Sequence, residues 1–250
     1  MTTQEWFRPT NEGKSPFDLS YLNEFELPQE RTEQELKSLQ RIISGMPKNP
    51  RTLDIAGGFG RIGSKLIEAK MVESLVDLDL NEEFLRIAKK RDVTKTVQGD
   101  MRNLCFQDRS FDLALIMFTS FGYFDDEDNL RVLQEAYRVL DYGGVLVLDL
   151  PNYSRISNDF SVSREKPLGN GIVINYQKRI EGKYLVEERS RIEVGQGLEN
   201  LLPIKLRIYT PEEIVELCRE AGFNEVITFD QELKEFSPND SRRLWVISTK

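Results

Sequence analysis

The 250-residue sequence contains no histidine. A Ser-His-Asp triad, a Cys-His pair and the usual zinc hydrolase all need an imidazole, so any proton transfer falls to Tyr, Asp, Glu or water. Cysteine is scarce. Cys105 and Cys218 are far apart and neither belongs to a pair with metal spacing, which argues against a disulfide framework or a zinc site and predicts free, mostly buried thiols. Apolar runs are short, none approaching the ~18 residues that cross a bilayer. The start, Met1-Thr2-Thr3-Gln4-Glu5-Trp6, lacks the basic-then-apolar order of a signal peptide, so a cytoplasmic protein away from membranes is expected. Positive charge is also in deficit. Forty-two acidic against 34 basic side chains, with no segregation of the basic ones, give a net charge of −8 that repels a phosphate backbone and argues against nucleic acid as a partner.

The composition, 39% hydrophobic and 30% charged, predicts a globular chain, either one large α/β domain or a domain of ~150 residues carrying an elaboration. Residues 1–28 lack a period and read as an irregular arm that needs a docking partner to become ordered. Leu36, Leu39, Ile43 and Met46 then fall at helical spacing. Strands are expected at 51–55, 74–78, 94–97, 111–118 and 145–150, alternating with helices at 62–69, 81–91 and 126–140. Runs such as Val145-Leu146-Val147-Leu148 do not alternate in polarity, as strands covered on both faces should not. The expected core is therefore doubly wound α/β with a mostly parallel sheet.

After Pro151 the pattern changes. Residues 172–180, 184–194 and 201–209 read as three alternating strands of an antiparallel sheet, an insertion covering 152–208. Ile172, Ile174, Tyr176 and Ile180 share one face, which predicts an apolar underside. The core resumes at Thr210, with Pro211 at the first helical position, Glu213 completing a capping box and Gly222 beyond the end. A strand at 244–248 finishes the chain, so the core is expected to occupy 29–151 and 209–250.

Three features carry chemistry. Asp54-Ile55-Ala56-Gly57-Gly58-Phe59-Gly60 closes the first strand and opens a helix, where open α/β sheets bind ligands; a tight turn without a ligand is the alternative. Asp79 ends the second strand about 20 residues later, the spacing of a carboxylate that accepts from ribose hydroxyls. Asp77 competes with it on the same side of the strand, and Asp79 is preferred because it is nearer the carboxyl end; a surface aspartate is the other alternative. Gln98-Gly99-Asp100-Met101 follows the third strand, where a carboxylate can accept from an exocyclic amine. The acidic run 125–128 is read as a helix amino end opposing its dipole rather than as a magnesium site, and Trp6 and Trp245 as packing residues.

Together these segments resemble the class I S-adenosylmethionine-dependent methyltransferases over residues 17–250, with Tyr142-Gly143-Gly144 similar to the turn before that family's fifth strand. The resemblance implies a Rossmann-like fold with a seven-stranded sheet and an inserted antiparallel cap. It also implies S-adenosyl-L-methionine as cofactor, held by Tyr21, Asp54, Ala56, Gly57, Gly58, Gly60, Asp79, Leu80, Asp100, Met101 and Phe118. Phe17-Asp18-Leu19-Ser20-Tyr21 looks like the amino-terminal Tyr-Asp-x-x-Tyr segment that closes over the cofactor, and Tyr209-Thr210-Pro211 with Ser237-Pro238-Asn239-Asp240 is similar to one subgroup. Ala56, Gly57 and Phe59 depart from the family's usual residues. Met117-Phe118-Thr119-Ser120-Phe121-Gly122-Tyr123 stands where many nucleobase and glutamine N-methyltransferases have Asn/Asp-Pro-Pro-Tyr, and is similar instead to Met-Phe-Ser-Ser-Ile-Gly-Tyr of antibiotic-sugar N-methyltransferases.

These likenesses imply methyl transfer to an N or O nucleophile of a small molecule, by in-line displacement that relies on positioning. Tyr123 is the first candidate for proton transfer, with an aromatic wall contact as the alternative; Tyr123, Tyr176 and Arg207 are the candidate acceptor contacts. The arm and the insertion are expected to act as a lid, and the inserted sheet is the expected surface of any homodimer. An NAD-linked oxidoreductase and a non-catalytic scaffold are the competing readings. For the first, Gly63 follows Gly58-Phe59-Gly60 at the spacing of Gly-x-Gly-x-x-Gly, but no Tyr-x-x-x-Lys or equivalent hydride-transfer set is evident; the second is disfavoured by the intact Asp54, Gly58, Gly60, Asp79 and Asp100.

Overall fold

The computed structural model describes residues 16–17, 29–93, 95–156, 161–169 and 171–250. Its contacts divide the chain into two compact units, Met1–Leu27 with Ile156–Ile208, and Pro28–Arg155 with Tyr209–Lys250.

The larger unit begins with α1 (Gln29–Ser44), then runs β1 (Thr52–Ile55), α2 (Arg61–Glu68), β2 (Leu75–Asp79), α3 (Glu82–Lys90), β3 (Lys95–Gln98), β4 (Phe111–Ile116), α4 (Asp126–Val139) and β5 (Leu140–Pro151). In the spatial order, strands β11 and β12 complete a seven-stranded sheet, β11-β12-β5-β4-β1-β2-β3. They are β11 (Glu225–Phe229) and β12 (Arg243–Thr249), following α5 (Pro211–Glu220). Strand β12 runs antiparallel to β5 and β11; the other pairings are parallel. The fold is thus the Rossmann-like, mostly parallel sheet expected. Its order reverses between β1 and β4, and there the loops leaving the two carboxyl ends diverge and open a crevice.

Burial explains why these segments are strands. Leu39, Ile43, Ile62 and Leu66 of α1 and α2 pack with Leu113, Leu115, Val147 and Trp245 on one face. Leu146 and Leu148 point to the opposite face and are as fully buried, which removes the alternation that a one-sided sheet would show. Trp245 is a packing residue, while Trp6 lies outside the described residues. Helix α5 starts as its sequence specifies: Thr210 accepts from the Glu213 amide and Glu213 reaches back to the Thr210 amide. Both cysteines are free. Cys218 is buried and its thiol is pushed up to about 12 by that burial, but Cys105 is exposed, contrary to expectation.

Among its described residues the smaller unit holds five antiparallel strands, not three: β6 (Ser161–Gly169), β7 (Ile172–Glu181), β8 (Tyr184–Glu193), β9 (Gly197–Asn200) and β10 (Ile204–Arg207). They lie in the order β10-β8-β7-β6, with β9 also on β8. The expected apolar underside is not what the register gives. Tyr176 is flanked by Arg164 and Arg189, Ile174 by Lys166 and Arg191, and Lys178 faces Glu187. Buried Arg189 donates to the Pro16 carbonyl at 2.5 Å within the same unit. On this face Ile174, Tyr176, Glu187 and Arg189 are buried, and Lys178 pairs with Glu187.

In the larger unit a charged cluster ties α1 and β12 to the sheet. Asp149 of β5 is fully buried; its carboxylate accepts from Arg243 Nε at 2.7 Å and from the Phe118 amide at 3.0 Å. Arg243 also donates to Thr119 Oγ1 at 2.6 Å, and Arg31 of α1 stands 3.9 Å from the same carboxylate. Removing one partner of a buried pair strands the other charge, a cost of about 3–5 kcal/mol. Arg243→Met should therefore destabilise the protein by about 3 kcal/mol in urea unfolding, and Asp149→Leu in addition should recover part of it. A loss below about 0.5 kcal/mol, the scale of an exposed pair, would mean that this pair does not anchor β12 on β5.

Candidate cofactor site

The crevice at the switch point is floored by the turn from Ala56 to Gly60. Asp54, Asp77 and Asp79 converge under it from the ends of two neighbouring strands, Asp54 and Asp77 being direct partners in the β1–β2 register. Gly57 sits on top of this pair. A Cβ there would stand 2.6 Å from Asp77 Oδ1 and 2.8 Å from Asp54 Oδ2, so no side chain fits. Gly58 is a glycine for a different reason. Its φ of +65° is left-handed, and a Cβ would project into open space bordered only by Phe84 at 3.8 Å and Asp79 Oδ2 at 3.9 Å. Gly60 is set by packing, because a Cβ would strike Val93 at 2.6 Å. Ala56 also adopts a left-handed φ, +55°, without being glycine. Phe59, the bulky departure, packs edge-on against Phe84 of α3 with Arg91 over its ring.

The three carboxylates differ in their surroundings. Asp79 is half-buried, and its oxygens accept from the Gly58 amide at 2.9 Å and the Asn81 amide at 2.8 Å. Burial raises its pKa to about 6, and these amide bonds limit the rise. Asp54 is buried with Oδ1 receiving no hydrogen bond; burial raises its pKa, Arg61 opposes the rise and Asp79 adds to it. Asp77 is completely buried and neither of its oxygens receives a hydrogen bond; burial, then Asp54 and Asp79, push its pKa far up.

The opposite wall is the turn after β4. Phe118 and Thr119 hold consecutive left-handed φ values of +55° and +67°. Such strain persists only where surroundings over-determine it, and here they do. Asp149 takes the Phe118 amide on its carboxylate and the Thr119 amide on its carbonyl, while Ser120 Oγ donates to the Ala56 carbonyl at 3.4 Å. The Phe118 ring lies under Arg31 at 4.6 Å and Arg61 at 5.4 Å, and both guanidiniums are held by Glu35. Burial and the nearby Arg243 lower the pKa of Arg31, and one of its terminal nitrogens is buried without a hydrogen bond.

The remaining expected residues divide. Leu80 follows Asp79, and its carbonyl accepts from Gln98 Nε2 at 3.1 Å. Asp100 is engaged by the Arg102 side chain at 2.7 Å, Arg102 continues to Asp128 at 2.6 Å, and Met101 beside them is buried. Tyr123 is half-buried on the loop entering α4. Asp125 caps that helix, accepting from the Asp128 amide at 2.9 Å, and Asp126 accepts from Tyr209. Tyr176 and Arg207 belong to the smaller unit and are both buried, but the register puts them on opposite faces of its sheet, so they cannot line one wall. Tyr21 lies outside the described residues. Missed in the sequence were Asp149, Arg243, Arg31, Arg61 and Glu35; an aspartate inside the apolar run Val145–Leu150 was the available signal.

The residues present fit an adenosyl cofactor: a cradle that a Cβ would fill at Gly58, a half-buried carboxylate for ribose hydroxyls at Asp79, and an orphaned buried oxygen at Asp54. Comparison with known proteins agrees. Residues 52–144 match the methyltransferase domain family. Demethylmenaquinone methyltransferase of Thermotoga maritima is 31% identical over 183 residues, 70% of this chain and 71% of that protein. Glycine/sarcosine N-methyltransferase of Aphanothece halophytica is 26% identical over 196 residues, 76% and 72% of the two. An amino pentose methyltransferase of Micromonospora echinaspora, solved with S-adenosylmethionine bound, superposes with a TM-score of 0.69 at 19% identity, covering 94% of this chain and 98% of that one. The chain belongs to the S-adenosylmethionine-dependent methyltransferases.

Proposed function

We propose that this methyltransferase moves the methyl group to an amine nitrogen or a hydroxyl oxygen of a small molecule. The observation that carries the reading is the turn Met117–Tyr123, a strained wall pinned by Asp149 and Ser120, without proline and holding Phe118, Phe121 and Tyr123. Bound S-adenosylmethionine supplies a methyl on a sulfonium whose departure leaves a neutral thioether, so little leaving-group assistance is required. The protein's work is placement and exclusion of water, which in favourable cases is worth about 7–11 kcal/mol. Asp79 would accept from the ribose hydroxyls, Gly58 would let the backbone approach, and Asp100 with Met101 would border the adenine. Arg31, with its unsatisfied nitrogen over Phe118, attracts the carboxylate of the amino-acid end.

Tyr123 contributes an aromatic wall and a hydroxyl to which an acceptor proton can pass. A neutral amine already carries the lone pair it needs, and the proton released afterwards can leave through Tyr123 to water, so the missing histidine costs nothing here. The arm at 17–28 and the insertion at 152–208 are assigned to acceptor selection, with the inserted sheet also the surface for any homodimer. A carbon acceptor is the second reading, favoured by the similarity to a ubiquinone/menaquinone biosynthesis C-methyltransferase of Bartonella quintana, 31% identical over 169 residues. Methyl-labelled S-adenosylmethionine offered with amino sugars, small amines and quinols separates them: label on nitrogen or oxygen supports the first, label on carbon alone replaces it.

Asp79→Ala should weaken S-adenosylmethionine binding by about tenfold or more, since hydrogen bonds to a charged group contribute about 1.5–3 kcal/mol. In the unmodified protein the affinity should fall as pH drops through about 6, where Asp79 takes up its proton and stops accepting from both hydroxyls. Calorimetric titration across pH 5–8 checks both, and unchanged affinity in a folded variant moves the ribose elsewhere. EDTA should leave turnover intact, because Asp125, Asp126 and Asp128 are already committed to an amide, Tyr209 and two arginines. A loss restored by magnesium would make that cluster catalytic.

A further inference from the structure

Asp77 is the one member of the carboxylate group without a role. Its oxygens are buried and without a hydrogen bond, it is the register partner of Asp54, and an oxygen of each carboxylate lies within 2.8 Å of where a Gly57 Cβ would stand. Two ionised carboxylates cannot remain side by side in such a place; one neutralises, and the proton it keeps becomes a donor for the other. Which one keeps it follows from the groups around them. Asp54 faces Arg61 at the head of α2, which favours its ionised form. Asp77 faces Asp54 across the strands and Asp79 along its own, both acidic. Its partner on β3 is Thr96, and the charged side chains of the neighbouring elements, Lys65 and Glu68 of α2, Glu82, Glu83, Arg86, Lys89 and Lys90 of α3 and Lys95 of β3, are exposed to solvent.

We propose that Asp77 is a positioning residue of the cofactor site that stays a neutral carboxylic acid and donates its proton in a hydrogen bond to Asp54, so that the pair beneath the Gly57 turn carries a single negative charge. The donated hydrogen bond fixes the Asp54 carboxylate under the turn, and with it the path of Gly57 and Gly58 past the cofactor. One charge, not two, keeps the turn from being forced apart. The proposal rests on the reading of this turn as the cofactor's cradle, but the proton itself belongs to the free protein and is measurable there.

The sign of the linkage is definite. A carboxyl that stays protonated in the fold but ionises near 3.9 when unfolded makes the folded state bind more protons, so stability declines as pH rises from about 4 towards the raised folded pKa. In unfolding titrations without cofactor between pH 5 and 8, Asp77→Asn should take up about one proton fewer on folding at pH 7 than the unmodified protein, flattening the profile, and should be the more stable of the two at pH 8. An amide also donates to Asp54, so Asp77→Asn should restore most of the S-adenosylmethionine affinity that Asp77→Ala loses, the latter being about tenfold weaker by calorimetry. If Asp77→Ala does not fold, Asp77→Ser, which retains a donor at lower reach, takes its place with an intermediate loss. A pH profile identical in Asp77→Asn and unmodified protein overturns the shared proton. An Asp77→Asn affinity as poor as that of Asp77→Ala overturns the positioning role. Failure of Asp79→Ala to affect binding, with the flattened profile still present, removes the cofactor reading and leaves the proton in place.

Discussion

The site is organised by a geometric conflict: three carboxylates end on adjacent strands within reach of one backbone turn, and only a residue without a side chain can lie over them. Gly57 meets that condition, with Asp77 and Asp54 both inside contact distance of where its Cβ would be. Once Gly57 is in place, Gly58 is carried to the edge of Asp79, and its amide is tied there at 2.9 Å. Gly60 then turns into α2 against Val93 and Ala88 of the α3 side. The path that brings Gly58 to a site fit for an adenosyl group is therefore set by the acids buried beneath Gly57.

The facing wall obeys the same logic with the opposite sign of constraint. Where the glycine turn is defined by what must be absent, the turn at Phe118 and Thr119 is defined by what holds it, since neither residue adopts a left-handed φ by preference. Asp149 supplies two acceptors to consecutive amides, and Arg243 keeps that buried carboxylate compensated. Both strand ends that border the switch point carry left-handed residues, Ala56 on one and Phe118 with Thr119 on the other, and Ser120 links them.

Much of this was legible in the chain and some was not, for reasons that differ by element. The central strands announce themselves because both their faces are buried, leaving uninterrupted apolar runs such as Leu113–Ile116 and Val145–Leu148. Strand β11, with Ile227 half exposed, and β9, fully exposed, carry no such signal, and β6 hides behind Pro167 and its charges. The capping box of α5 was readable because it is local. The Asp149–Arg243 pair was not, since it depends on the antiparallel register of β12 on β5. The apolar alternation of β7 misled in the other direction: period two identifies the face that Tyr176 shares, but the arginines facing it come from other strands.

The absence of histidine and the crowding of acids are two sides of one chemical choice. A displacement at a sulfonium needs neither a metal nor a strong acid for the leaving group, so a site for it can do without an imidazole. What it must supply is a fixed surface on which a cationic donor is held and water is kept out. Carboxylates suit the charge of that donor, yet a cluster of them in a buried turn repels itself before any ligand arrives. The chain resolves this by grading the three acids: Asp79 satisfied by amides and open to the crevice, Asp54 opposed by Arg61, and Asp77 enclosed with acids alone. Grading, rather than removal, lets one negative charge face the cofactor from a rigid floor while the innermost acid contributes a hydrogen bond instead of a second charge.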